Sequence, residues 1–105
     1  MKPRLYVLDE HGEPQAMAGP RDILAWAHSF EIEERRVARE QVGLSTVSTV
    51  FLGVDHSHTH GGPPILWETM VFDGRLNGSC TRCSGSREQA LAMHQRMVKL
   101  VQEAL

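Results

Sequence analysis

Cysteine is scarce in this chain: there are two among 105 residues, too few for the disulfide framework that staples small secreted domains. Long apolar runs are missing as well. No stretch approaches the ~18 residues of a membrane-spanning helix, and residues 1–8 hold one short apolar patch with neither a signal-peptide h-region nor a small-residue cleavage site. These absences lead us to expect a cytoplasmic protein that does not enter a membrane. Neither sign of charge dominates, with 11 Lys and Arg against 13 Asp and Glu and a formal charge of −2, which argues against nucleic acid as a partner. Asn77-Gly78-Ser79 has the form of a glycosylation sequon, but without a secretory signal it reads as turn chemistry.

What is present suits one globular unit. A chain of 105 residues fits a single domain, 1–105, since domains run about 100 to 200 residues. Its 41% of hydrophobic residues can form a core without covalent or metallic help.

Residues 5–8 are β-prone, and residues 9–14 are dense in turn formers. Pro20 suits the first position of a helix, and Ile23, Leu24, Trp26, Ala27 and Phe30 recur at helical spacing until the charges of residues 33–36. Residues 37–42 and 45–54, separated by Gly43, are rich in the β-branched and aromatic types that fit a pleated surface and read as a hairpin. Residues 55–64 are polar, glycine-rich and closed by Pro63 and Pro64, which excludes a central strand and predicts a loop. Residues 65–72 and 79–83 read as a second hairpin around Asp73-Gly74 and Asn77-Gly78. Ser86 and Gln89 have the spacing of a capping box, and Ala90, Met93, Met97, Leu100, Val101 and Ala104 then repeat every three or four residues. The expectation is an α+β domain, β-α-β-β-β-β-α, with an antiparallel four- to five-stranded sheet and two helices packed on one face. The opposite face is left for solvent or a partner.

His56, His58 and His60 alternate, so on an extended chain their imidazoles lie on one side. His58 and His60 with Cys80 and Cys83 make the best candidate zinc set, provided the chain turns between the cysteines; on a straight strand their spacing sends the thiols to opposite faces. A solvated loop with an incidental cysteine pair is the plainer reading, and no cofactor is then expected. For hydrolysis at such a metal, Asp55 and Glu68 are the nearest carboxylates, yet the spacing matches no zincin, metallo-hydrolase or cupin pattern. No serine sits in a glycine elbow, no glycine-rich loop leads into a helix with a following lysine, and the last helix starts too late to activate Cys80. Catalysis is therefore not the favoured reading.

Contact is favoured instead. Glu68 shares strand parity with Leu66, Met70 and Phe72; it either faces the core or stands outward beside an apolar row, with Arg39 or Arg82 as counter-charge. Trp26 reads as core, whereas Trp67, sharing a face with Ile65, Thr69 and Val71, is a candidate anchor on the open side of the sheet. Trp67, Glu68, Asp55, His56 and His58 form the expected binding surface.

The segments Val47-Ser48-Thr49-Val50-Phe51-Leu52-Gly53-Val54-Asp55-His56, Gly62-Pro63-Pro64 and Glu68-Thr69-Met70-Val71-Phe72 together resemble a group of short, functionally uncharacterised bacteriophage and prophage proteins. The likeness spans roughly residues 26–94 and includes Arg36-Val37-Ala38 and Glu88-Gln89-Ala90. Against that group, His58, His60, Cys80 and Cys83 are departures. The resemblance implies a small phage accessory protein in the cytoplasm of a bacterial host. Its partner would be a host protein, with inhibition of a defence complex, as by anti-CRISPR proteins, the favoured form. A homodimer closed through the same sheet face is the other contact reading, and the zinc protein, structural or hydrolytic, is the alternative from a different class.

Overall fold

Alternating β-branched residues in the middle of the chain build a sheet buried on one side. The computed structural model describes residues 5–16, 35–57 and 62–105. Among them the elements are β1 (Tyr6–Leu8), β2 (Pro14–Ala16), β3 (Arg36–Val42), β4 (Ser45–Phe51), β5 (Ile65–Phe72), β6 (Cys80–Ser84) and α1 (Arg87–Glu103). Strands β3 to β6 form one antiparallel sheet in chain order, and β1 pairs with β2 in a separate two-stranded sheet. In β4 the alternation is complete: Ser45, Val47, Thr49 and Phe51 are buried, while Thr46, Ser48 and Val50 between them are only half-buried. Gly43 turns β3 into β4 with φ of 60°, a conformation that costs a glycine least.

This architecture keeps the expected α+β class and antiparallel pairing but changes the order. Residues 9–14 do not simply end a strand; they fold the chain back so that β2 pairs with β1. Asp9 causes this, because its Oδ1 accepts from the backbone N–H of His11 at 2.8 Å and of Glu13 at 2.9 Å, the local bonding for which Asp is favoured in turns. Pro14 then occupies the first position of β2, the strand position that a residue without an N–H tolerates. The hairpin touches the main sheet where Leu5 bridges Val54 and Tyr6 N–H donates to Gly53 O at 2.8 Å. The helix expected from Ile23 to Phe30, with Trp26, lies outside the described residues.

Helix α1 begins as its capping box requires, with Ser86 Oγ accepting from Gln89 N–H and Gln89 Oε1 accepting from Ser86 N–H. It buries Ala90, Met93, His94, Met97, Val98 and Val101 against the sheet. Leu100, expected in the stripe, is 53% exposed, because at about 100° per residue it falls outside the arc centred on Met97 and Val101. Two apolar clusters result. Val42, Val47, Val71, Met97, Val98 and Val101 form one, and Phe51, Leu66, Trp67, Ala90 and Met93 the other.

Candidate contact surface

Register decides which side chains share the face of the sheet turned away from α1. Val50 lies opposite Glu68, which lies opposite Arg82; Ser48 lies opposite Met70, which lies opposite Cys80; Thr46 lies opposite Phe72. On β3, Arg39 and Gln41 face Ser48 and Thr46. Directly paired residues project to the same side, so these residues occupy the face turned away from α1. On its two central strands apolar and polar side chains stand opposite one another: Val50 and Met70 are half-buried and Phe72 is 47% exposed, across from Glu68, Ser48 and Thr46 respectively. Its margins are polar.

Glu68 stands outward, with Arg82 as its partner. Arg82 Nε donates to Glu68 Oε2 at 2.7 Å, and only 13% of the Glu68 side chain is exposed. The Cys80 thiol hydrogen-bonds the same carboxylate, and burial, followed by that bond and the carboxylate charge, pushes its pKa up. Arg82 is held more firmly protonated by the same contact.

Trp67 corrects the expectation for the binding surface. It is fully buried, its ring centroid 5.1 Å from that of Phe51, and its indole Nε1 donates to Gly85 O at 2.9 Å. The cause is the parity of β5, in which Trp67, Thr69 and Val71 all face α1; the ring is therefore a core element and does not reach the open face. A bulge between Ile65 and Trp67 also buries Leu66, breaking the parity that grouped Leu66 with Glu68.

Asp55 and His56 close the base of the loop. Asp55 Oδ1 accepts from Ser57 N–H at 2.8 Å and from Ile65 N–H at 3.0 Å, pinning both ends of the segment. His56 N–H donates to Ile65 O, and its Nδ1 donates to Val54 O at 2.8 Å; a carbonyl only accepts, so the proton sits on Nδ1. The Asp-His pair thus has a local structural role at the start of the loop. His58 and His60 lie outside the described residues.

The cysteines do not converge. Residues 80–84 are a strand without a turn, Cys80 pairs with outward Met70, and Cys83 pairs with buried Trp67. Both thiols are free, Cys80 exposed and Cys83 half-buried against the Phe51 and Trp67 cluster. Burial also pushes the Cys83 thiol up, opposed by the charge of Arg96. Among the described residues, no three His, Cys, Asp or Glu side chains gather as metal ligands.

One polar group was missed by the sequence reading. Between the two apolar clusters, Thr49 Oγ1 lies 2.5 Å from Thr69 Oγ1 and 2.7 Å from His94 Nδ1, all three residues being at most 1% exposed. His94 Nε2 lies 3.8 Å from Glu40 Oε1 on β3. The visible signal was a histidine on the apolar stripe of α1 and a threonine at an inward position of each central strand. A hydroxyl, an imidazole and a carboxylate in line suggest a nucleophile, but the hydroxyl is wholly buried and offers a substrate no approach.

A hollow of about 380 Å³ beside the β1–β2 hairpin is lined by Leu8, Arg36, Val37, Phe51 and Arg87. Another, about 480 Å³, lies between β6 and α1 with Cys83, Ser84, Gln89 and Arg96. Neither joins a nucleophile to a base. No protein-family model, curated protein or solved structure matches this chain. No helix among the described residues is long and apolar enough to cross a membrane.

Proposed function

We propose that this chain acts by binding another protein through the face of the β3–β6 sheet turned away from α1. The observation that carries the reading is the apolar strip of Val50, Met70 and Phe72, the last 47% exposed, set between Arg39 and the Glu68–Arg82 ion pair. Apolar side chains interspersed with charged and hydroxyl groups suit a binding patch, in which a few anchors do most of the work. Helix α1 completes the other side of the sheet, and both apolar core clusters formed by the described residues include residues of α1. The likeness to short phage proteins directs the choice of partner to a bacterial host protein, with blockade of a defence complex as the specific form.

The test uses substitutions on the exposed face, where folding is least disturbed. The immobilised chain should capture a host protein that Met70→Glu and Phe72→Asp each fail to retain while melting cooperatively like the parent. Unchanged capture by both variants rejects the face. For the defence reading, expression of the chain should restore plaques of a targeted phage on a defended host, and the same variants should not. Sedimentation separates the remaining occupant, a second copy: a dimer dispersed by Phe72→Asp would replace the foreign partner with self-association.

A further inference from the structure

We propose that Glu40, Thr49, Thr69 and His94 form an acid-sensitive latch that tightens the hold of α1 on the sheet while His94 is neutral and loosens it when His94 gains a proton. The geometry defines a direction for the hydrogen bonds. His94 Nε2 points toward the Glu40 carboxylate at 3.8 Å, so the neutral ring carries its proton there and leaves Nδ1 to accept from Thr49 Oγ1 at 2.7 Å. Thr49 Oγ1 in turn accepts from Thr69 Oγ1. Both hydroxyls then have an acceptor, and the donors run one way, from Thr69 through Thr49 to the ring, whose Nε2–H faces the Glu40 carboxylate across 3.8 Å, longer than a hydrogen bond.

A second proton on the ring must go to Nδ1. Thr49 then has to turn its hydroxyl toward Thr69, and the Thr69 hydroxyl loses the acceptor it had. The same proton places a full charge 1% exposed between two apolar clusters, a costly location for an ion. From β3 only the Glu40 carboxylate faces the ring; β4 and β5 present the uncharged hydroxyls of Thr49 and Thr69; on α1 the neighbouring turns present Ala90 and Val98, both apolar. Glu40 is 46% exposed, so water screens its attraction and it does not offset the burial. His94 is accordingly pulled below its ordinary value by burial, with Glu40 opposing.

The sign follows from linkage. With a lowered folded value, the unfolded chain takes the proton first as pH falls, so the stabilisation is complete above about pH 6.5 and drains away below it. One such group weakens the held state by at most about tenfold between about pH 7.5 and about pH 5.5, the limit being reached when the folded ring stays neutral throughout.

Thermal melts and amide exchange over that interval test the latch. The parent chain should lose up to about 5 °C in Tm and exchange the α1 amides up to about tenfold faster after correction for intrinsic rate, while His94→Gln removes most of both changes. In ring-proton titrations, His94 should stay neutral, protonated on Nε2, at about pH 6.5, where a histidine in a model peptide is half charged, and Glu40→Gln should move its midpoint lower still. The latch is overturned if His94 is half charged at about pH 6.5, if His94→Gln keeps the full acid response, or if α1 exchange does not accelerate. Should His94→Gln fail to fold, the ring titrations of the parent and of Glu40→Gln decide.

Discussion

Thr49 is the residue on which the buried polar layer turns, because it hydrogen-bonds both Thr69 and His94. Replacing it with valine conserves shape but leaves the Thr69 hydroxyl and the His94 Nδ1 without their partner. Thr69→Val removes only the bond at the end of the chain. Urea melts should therefore give about 2 to 3 kcal/mol for Thr49→Val and about 1 kcal/mol for Thr69→Val; the reverse ranking would contradict the donor direction. Gly74 is a second position with a steric prediction: at φ of 78° its missing side chain makes room for Ser45 Oγ, which itself donates to Asp73 O at 2.9 Å. Gly74→Ala should cost more than about 1 kcal/mol, through both the backbone region and the displaced hydroxyl.

Helix α1 and strand β6 were the elements most legible beforehand, for different reasons. The Ser86 and Gln89 spacing is a local rule whose bonding partners lie within one turn, so no tertiary information was needed to place the helix start. Ser86→Ala should lower stability by about 1 kcal/mol in thermal melts. In β6 the three-residue spacing of Cys80 and Cys83 dictates opposite faces on any straight strand, and the ladder to β5 keeps it straight. A maleimide should accordingly label Cys80 first and Cys83 only slowly, both faster as pH rises because both thiols sit above their ordinary range. Equal rates in the folded protein would mean that β6 is not held as described. Strand β2 was not legible, since three residues beginning with proline carry no periodic signal; its formation depends on the Asp9 turn meeting β1.

Across the whole molecule, the wall between core and contact surface runs through β5, and Trp67 stands on the core side. Trp67→Ala should cost about 3 to 5 kcal/mol, a large part of the ~5 to 15 kcal/mol that holds a domain together. Loss of partner capture in that variant should therefore coincide with loss of cooperative melting, unlike the loss expected for Met70→Glu or Phe72→Asp. Periodicity along the chain was sufficient for the α+β class, the two hairpins β3–β4 and β5–β6, and, away from the bulge at residues 65–67, the membership of the alternating sets of β5, because a strand's period of two is a property of its backbone. Which set faces inward is not, since both faces of β5 carry apolar residues and an isolated strand has no inside. Only the docking of α1 resolved that choice, putting Trp67, Thr69 and Val71 beneath the helix and Glu68, Met70 and Phe72 outside. The same docking joined Thr49, Thr69 and His94, contacts between residues 20 and 45 positions apart, which the sequence contained as separate letters and only packing made into one hydrogen-bonded layer.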